Sequence, residues 1–185
     1  VLAAAVEVIS GMRFETYMKK NLFEPLGMTM SSLHLTPAQA ERLAAQYRRD
    51  ERGVARIDAE CAYVLGPDYD SGGAGLVTTV NDYIRFSDAL ACGGVGLTGE
   101  RILSPAAIEL MRENHLTPAQ MTDFNWPQMV GYGYGLGVRT RVAFANGTPG
   151  GRGEFGWDGA AGADLTVDPA NRLSMAYMQH VRGWP

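Results

Sequence analysis

The chain has 185 residues, of which 46% are hydrophobic and 19% charged, and this composition can build a core and excludes a disordered polypeptide. Its 16 basic and 20 acidic residues leave a net charge of −4, so nucleic acid is not expected as a partner, and no Lys/Arg-rich stripe is present to bind it. No apolar run is long enough to span a membrane. The His and Cys residues have no metal-ligand spacing, so the sequence predicts neither a metal nor a cofactor.

Residues 1–125 are predicted to be mainly helical. Apolar residues recur at helical spacing over residues 2–9, and Gly11 follows where a left-handed residue commonly ends a helix. A second helix over residues 14–22 is expected to stop before Pro25, because proline disfavours the helical conformation in the residue that precedes it. Residues 25–28 are therefore predicted to form a turn.

Several further helices begin with recognisable capping residues. Thr36 and Gln39 have capping-box spacing with Pro37 at the first helical position. Ser104 and Thr117 each precede a proline in the same way. These signals predict three short helices, and we attribute their similarity to shared helix-start chemistry rather than to an internal repeat.

The most clearly bounded helix is predicted over residues 80–91. Thr79 and Asp82 have capping-box spacing at its start. We interpret Asp82 as a favourable charge at the helix N-terminus rather than as a catalytic group. Before this helix, residues 45–49 and 53–57 are predicted to form a short surface hairpin.

Residues 131–185 are predicted to form antiparallel strands. The stretch 131–142, in which Gly alternates with larger residues, is expected to become one strand, and residues 165–167 and 173–178 supply two more. Residues 168–171 form the turn between the last two, and short connections make the strands antiparallel neighbours. A sheet with one bare face needs helices packed on it, so the predicted fold class is α+β, with helices packed on an antiparallel sheet.

The stretch 153–163 is the most suggestive of chemistry. Four of its eleven residues are Gly and three are Ala, with Trp157 in the middle. A backbone N–H on such a low-profile segment, beside a flat aromatic side chain, can polarise a carbonyl oxygen. On the local pattern alone, a Gly-rich hairpin at a sheet edge is the favoured interpretation. A phosphate-binding loop is disfavoured, because neither GxGxxG nor GxxxxGK is present after a strand.

Five sequence blocks follow one another over nearly all of the chain. They are Phe23-Glu24-Pro25-Leu26-Gly27-Met28, residues 73–83, residues 101–105, residues 132–137 and residues 155–162. In this order and spacing they resemble the C-terminal part of the serine β-lactamase and penicillin-binding-protein-like family, which includes class C β-lactamases, DD-peptidases and related esterases.

The resemblance implies roles for four consecutive residues. That family surrounds its active site with a Ser-x-x-Lys motif that carries the nucleophile, a Tyr-x-Asn motif, and a Lys-Thr-Gly-type triad on a strand. Trp157, Asp158 and Gly159 match the triad by position, so the resemblance implies that they bind substrate. It also implies that the Ala160 N–H is one of two backbone donors in the oxyanion hole, the other being the N–H of the nucleophilic Ser.

Two of the three family motifs are absent from this chain. Neither Ser-x-x-Lys nor Tyr-x-Asn occurs in it, and both lie upstream in the family pattern. Residues 1–185 are therefore expected to be the C-terminal portion of one β-lactamase-like domain, with the N-terminal portion missing. We expect the chain to be inactive alone and to have the missing part, as a second chain, for a partner.

Trp157 stands where β-lactamases and DD-peptidases usually carry Lys. A cation there would attract a substrate carboxylate, whereas an indole offers an apolar wall and one N–H donor. Arg139, Arg141 or Arg152 would restore a cation only if its side chain pointed into the site.

The resemblance thus implies part of a serine hydrolase that acts through an acyl-enzyme on a small ester, amide or β-lactam, with a preference for esters. The alternative is a catalytically inactive β-lactamase-like binding domain that kept the scaffold and lost the chemistry.

Overall fold

The computed structural model describes residues 1–58, 68–144 and 150–182. The chain divides into two compact units. The first unit comprises Val1–Tyr83, Gly159–Ala163 and Met178–Pro185. The second comprises Ile84–Asp158 and Asp164–Tyr177. No helix of the described residues combines the length and the apolar character needed to cross a membrane.

The first unit begins with short helices. They are α1 (Leu2–Ser10), α2 (Phe14–Met18), a π-helical turn (Lys19–Phe23), α3 (Glu24–Leu26) and α4 (Pro37–Ala40). Gly11 ends α1 in the left-handed conformation with φ 69°, as predicted. At the start of α4, the Thr36 side chain accepts from the Gln39 N–H while the Gln39 side chain accepts from the Thr36 N–H, so the predicted capping box is confirmed.

The predicted turn at residues 25–28 is wrong at its start. The helical conformation continues through Pro25 to Leu26, and Gly27 ends it with φ 66°. Pro25 lies in the first turn of α3, where the missing N–H removes no helical hydrogen bond. Helical structure continues past the predicted end because the π-helical turn Lys19–Phe23 leads directly into α3, whose first turn tolerates a proline.

A three-stranded sheet completes the first unit. Its strands are β1 (Tyr47–Arg49), β2 (Ala55–Ile57) and β8 (Val181–Arg182), in the order β2-β1-β8. β1 and β2 are antiparallel and confirm the predicted hairpin, whereas β1 and β8 are parallel.

Helix α5 (Val80–Ala91) has the predicted bounds. Asp82 lies in its first turn but is only 5% exposed. Its carboxylate accepts from the Met30 N–H at 2.6 Å and from the Ser31 hydroxyl at 3.0 Å. Asp82 therefore also holds the 30–31 segment, a role that capping-box spacing does not reveal.

The second unit combines helices with an antiparallel sheet. After α5 come α6 (Pro105–Arg112), α7 (Pro118–Asp123) and a 3-10 turn (Pro127–Met129). The strands are β3 (Tyr132–Tyr134), β4 (Arg139–Arg141), β5 (Phe155–Asp158), β6 (Asp164–Asp168) and β7 (Leu173–Tyr177), in the order β3-β4-β5-β6-β7. All neighbouring pairs are antiparallel, so the predicted α+β class is confirmed.

The predicted strand count for this region is wrong. The stretch 131–142 is a hairpin of two strands rather than one strand, with Gly137 in its turn at φ 83°. Residues 155–158 form a further strand, β5. The turn was not predicted because Gly recurs at every second position of this stretch. Each of these Gly residues can adopt a turn conformation, so the sequence did not single out Gly137.

The core of the second unit lies on one face of the sheet. Phe155 and Val167 are paired across β5 and β6, and they are 1% and 0% exposed. Leu90 of α5 and Ile108 of α6 are each 2% exposed. Burying an aliphatic or aromatic side chain of this size contributes about 1.5–3 kcal/mol, so these residues hold the strand that carries the candidate site.

Candidate functional site

The last two residues of β5 have a strand neighbour on one side only. β6 pairs with all four residues of β5, so that Trp157 faces Leu165 and Asp158 faces Asp164. β4 reaches only Gly156 and Phe155. No strand in the described part of the chain pairs with Trp157 or Asp158 on the side opposite β6, so the edge of β5 is open there.

The turn after β5 is held by its own backbone. The Gly159 N–H donates to the Ala163 carbonyl at 2.7 Å, and the Gly162 N–H donates to the Gly159 carbonyl at 2.8 Å. Gly162 has φ 91°, a conformation that other residues rarely adopt. The Val181 N–H also donates to the Ala161 carbonyl at 2.9 Å, so the turn is fixed to the strand β8 within the first unit.

The Ala160 N–H, unlike those of Gly159 and Gly162, makes no backbone hydrogen bond in the turn. Ala160 is exposed, and no residue within the described ranges accepts a hydrogen bond from its N–H. A donor on a fixed turn costs little reorganisation when a negatively charged oxygen forms beside it. The oxyanion role of Ala160 stays a prediction; its N–H has no other acceptor in the part of the chain that the structure describes.

Trp157 and Asp158 point to opposite faces of β5, because side chains alternate along a strand. Trp157 shares a face with Phe155 and is half-buried. Its ring contacts that of Tyr134 edge to face, with centroids 5.2 Å apart and planes at 77°. Asp158 and Gly159 are exposed.

Asp158 belongs to an ion-pair cluster on the other face. Arg139 of β4 binds the carboxylate of Asp158, and its second guanidinium nitrogen binds that of Asp164 at 3.0 Å. The Arg139 side chain is only 13% exposed. Arg139 thus lies beside the candidate triad, but its charge is already matched by two carboxylates.

The other two arginines considered from the sequence, Arg141 and Arg152, have different surroundings. Arg141 is 3% exposed, and its guanidinium lies 3.4 Å from Glu154 and 4.4 Å from the centre of the Tyr132 ring. Burial and the hydrogen bond to Glu154 raise the pKa of the Tyr132 hydroxyl, so this group stays protonated as a donor. Arg152 is exposed and lines a groove beside α6 that includes none of the residues 157–160.

Sequence reasoning missed two partners of the candidate triad. Tyr134 was part of a Gly-rich block, and only the hairpin brings it to Trp157. For Arg139 the sequence predicted a cation at the site only if the side chain pointed into it, and it did not predict the ion pairs with Asp158 and Asp164. The signal that could have identified its role is the pair Asp158 and Asp164, which stand symmetrically around the turn 159–163 and need a cation to lie side by side.

No group of three or more His, Cys, Asp or Glu side chains that could hold a metal ion occurs among the residues that the structure describes.

Comparison with known proteins identifies relatives along the whole chain. The family model described as Beta-lactamase matches residues 1–185. Protein Rv1367c of Mycobacterium tuberculosis is 32% identical over 191 aligned positions, which cover 97% of this chain and 47% of that protein. Penicillin-binding protein 4 of Amycolatopsis lactamdurans is 30% identical over 169 positions, 90% of this chain and 40% of that protein. The chain thus spans about half the length of the curated relatives that it matches.

Solved structures show the same fold. The LovD6 mutant of simvastatin synthase from Aspergillus terreus has a TM-score of 0.84 at 21% identity, covering 98% of this chain and 48% of that one. EstCE1, a hydrolase with promiscuous acyltransferase activity, has a TM-score of 0.75 at 22% identity, covering 98% and 49%. The octameric penicillin-binding protein homologue from Pyrococcus abyssi has a TM-score of 0.72 at 25% identity, covering 100% and 37%.

Proposed function

This chain belongs to the beta-lactamase family, and from that premise we propose that it forms part of a serine hydrolase that cleaves esters or amides through an acyl-enzyme. One observation carries the proposal. Ala160 lies two residues after the open end of β5 and is exposed, and its N–H has no acceptor among the described residues.

Ala160 acts in this proposal as one of two oxyanion donors. When a nucleophile attacks a carbonyl carbon, the carbonyl oxygen gains negative charge, and a fixed N–H stabilises that charge more than it stabilises the substrate. One such donor is worth about 3 kcal/mol, or roughly a hundredfold or more in rate. The hydrogen bonds of Gly159 and Gly162 support this role because they hold the turn that presents the N–H.

The nucleophile comes from outside this chain in the proposal. The chain contains no Ser-x-x-Lys and no Tyr-x-Asn, and it spans about half the length of its curated relatives. We therefore place the nucleophilic Ser and its Lys and Tyr partners in the N-terminal part of the same protein. That part is the proposed partner of the chain, and the chain alone is inactive.

The reaction then proceeds in two steps. The Ser hydroxyl loses its proton to the Lys and Tyr pair, and its oxygen attacks the carbonyl carbon. The tetrahedral intermediate collapses, and the leaving alcohol or amine takes the proton. Water next attacks the acyl-enzyme, and the carboxylic acid leaves as the Ser hydroxyl is regenerated.

The residues around the triad favour esters over β-lactams. Trp157 offers an apolar face where the family usually carries Lys. Arg139 lies beside Asp158, but its guanidinium binds Asp158 and Asp164. A substrate carboxylate therefore finds no uncommitted basic side chain at this end of β5 in the part of the chain that the structure describes.

The test is ester hydrolysis by the full-length protein that contains this chain. We expect turnover of 4-nitrophenyl acetate, together with a mass increase of one acetyl group on the Ser of the Ser-x-x-Lys motif. Replacement of that Ser by Ala should abolish both signals. Turnover that survives the replacement refutes the mechanism, and the absence of turnover and of acyl-enzyme identifies the inactive binding domain.

A further inference from the structure

Four aromatic side chains of the second unit form a continuous row that begins at Trp157. The Trp157 and Tyr134 ring centroids are 5.2 Å apart, those of Tyr134 and Phe124 are 5.8 Å apart, and those of Phe124 and Trp126 are 5.6 Å apart. All three contacts have tilted or edge-to-face geometry, which aromatic pairs prefer. We call these four residues the aromatic row.

The row is a surface rather than a core. Trp157, Tyr134 and Phe124 are half-buried, and Trp126 is 53% exposed. Residues that only fill space in this unit are far more buried, as Phe155 is at 1%. The row therefore leaves aromatic surface that a ligand can cover, and contiguous apolar surface of this kind is where soluble proteins bind ligands.

The inner half of the row consists of Trp157 and Tyr134, and hydrogen bonds hold the backbone of Tyr134 in place. The Asn114 side-chain oxygen accepts from the Tyr134 N–H at 3.0 Å, and the Tyr134 carbonyl accepts from the His115 N–H at 2.9 Å. A side chain at Gly133 would overlap Asn114, so the backbone of β3 lies directly against that residue. Tyr134 therefore keeps its place beside Trp157 without help from a ligand.

The outer half of the row consists of Phe124 and Trp126, and other contacts hold their backbone. Phe124 ends α7, and Trp126 precedes the 3-10 turn of residues 127–129. The Met129 N–H donates to the Trp126 carbonyl at 2.8 Å, and the Met129 side chain is 3% exposed. This anchor fixes the Trp126 backbone while leaving its ring in solvent.

We propose that the aromatic row binds an aromatic group of the substrate and that it makes this protein selective for esters that carry an aryl group. This inference rests on the proposed function, because it takes Trp157 as the inner end of the row beside the reacting carbonyl. A single acetyl group contacts only the inner end, whereas an aryl group on a spacer extends further along the row, in the direction of Phe124 and Trp126. Each ring contact strengthens binding by about three- to tenfold.

The experiment compares two pairs of esters in the full-length protein. The first pair shares its leaving group and differs in the acyl part, methyl 4-phenylbutyrate against methyl acetate. The second pair shares its acyl part and differs in the alcohol, 3-phenylpropyl acetate against methyl acetate. The pair with the larger ratio of kcat/KM identifies which side of the ester lies on the row.

Variants then test the row itself. Trp126→Ala and Phe124→Ala should each lower that ratio by roughly three- to tenfold. Phe144→Ala is the matched control, because Phe144 is an exposed ring, at 68%, that makes no contact with the row among the described residues, and it should leave the ratio unchanged. Ratios that are the same in Trp126→Ala, Phe124→Ala and the unmodified protein overturn the proposal, while hydrolysis itself still supports the proposed function.

A binding measurement keeps the two proposals separable. Ligand-observed NMR should detect 4-phenylbutanol on the unmodified protein, with clearly weaker binding to Trp126→Ala and no comparable signal for butanol. If no ester is hydrolysed but this binding pattern holds, the proposed function and the ester selectivity fail, and the row remains a binding site for aryl groups. If 4-phenylbutanol binds no better than butanol, the row is overturned whatever the activity.

Discussion

Arg139 and Asp158 form an ion pair between neighbouring strands, although the register of β4 and β5 places Arg139 opposite Gly156. The guanidinium therefore reaches two residues along β5 to its partner. It also binds Asp164, which faces Asp158 directly across β5 and β6. The positive charge of Arg139 thus compensates two carboxylates that would otherwise repel each other at the end of β5.

Replacing Arg139 by Met should lower the free energy of unfolding by about 1–2 kcal/mol. The two carboxylates lose their common cation, and their partial exposure keeps the effect below that of a fully buried pair. Denaturant unfolding of the full-length protein measures the change. Adding Asp164→Asn should recover part of the loss, because it removes one of the two like charges.

The control for this prediction is Arg152→Met. Arg152 is exposed and has no ion-pair partner among the described residues. It should change the unfolding free energy by no more than about 0.5 kcal/mol. Equal effects of the two replacements would contradict the role given to Arg139.

Gly156 is predicted to be intolerant of any side chain. A Cβ there would overlap the Leu165 carbonyl oxygen on β6, so that β5 and β6 would have to separate. Gly156→Ala should therefore lower the free energy of unfolding by about 1–3 kcal/mol. Gly73→Ala is the matched control, since a Cβ at Gly73 meets no atom within 4 Å, and equal stability of the two variants would contradict the packing described.

Asp70 is predicted to make the protein acid-sensitive. Burial by itself raises the pKa of Asp70, but hydrogen bonds from His34, the Glu15 N–H and Arg13 outweigh it and lower the pKa from 3.8 to about 2. A carboxylate whose pKa is lower in the folded state stabilises that state above its unfolded pKa. That stabilisation, about 2 kcal/mol, is lost as the pH falls from about 4 to about 2.

Asp70→Asn should remove this pH dependence. We expect the unfolding free energy of the unmodified protein to fall more steeply than that of Asp70→Asn between pH 4 and pH 2, measured by denaturant titration at each pH. Parallel curves over that window would show that Asp70 is not the group responsible.

Trp157→Lys is predicted to shift the substrate preference towards β-lactams. A Lys at this position would attract the carboxylate of benzylpenicillin, and a charged hydrogen bond of about 1.5–3 kcal/mol corresponds to roughly 10- to 100-fold. The ratio of kcat/KM for benzylpenicillin over 4-nitrophenyl acetate measures the shift. Trp157→Met is the control, and an equal rise in that variant would show that loss of the indole, not gain of a charge, is responsible.

Local sequence signals predicted the helices well. Residues such as Thr36, Thr117 and Gly11 form the predicted caps, because capping depends on groups within three or four residues of one another. The bounds of α5 were predicted for the same reason. The α+β class also followed from the order of helices and strands.

Features hidden by regularly spaced Gly, and features that depend on distant residues, were not predictable. The hairpin of β3 and β4 was missed because Gly137 stands in a run where Gly is regular. The second role of Asp82 depends on the Met30 N–H, 52 residues away. The ring contact of Trp157 with Tyr134 depends on strand register, which the hydrophobic pattern of a Gly-rich segment specifies only weakly.

The most direct test of the account replaces the Ala160 amide by an ester. Incorporating lactic acid in place of Ala160 changes the N–H to an oxygen and leaves the side chain intact, and the same replacement at Ala161 is the control. We predict that kcat/KM of the full-length protein for 4-nitrophenyl acetate falls roughly a hundredfold or more at position 160 and much less at position 161. An unchanged rate at position 160 would contradict the claim that this N–H stabilises the oxyanion.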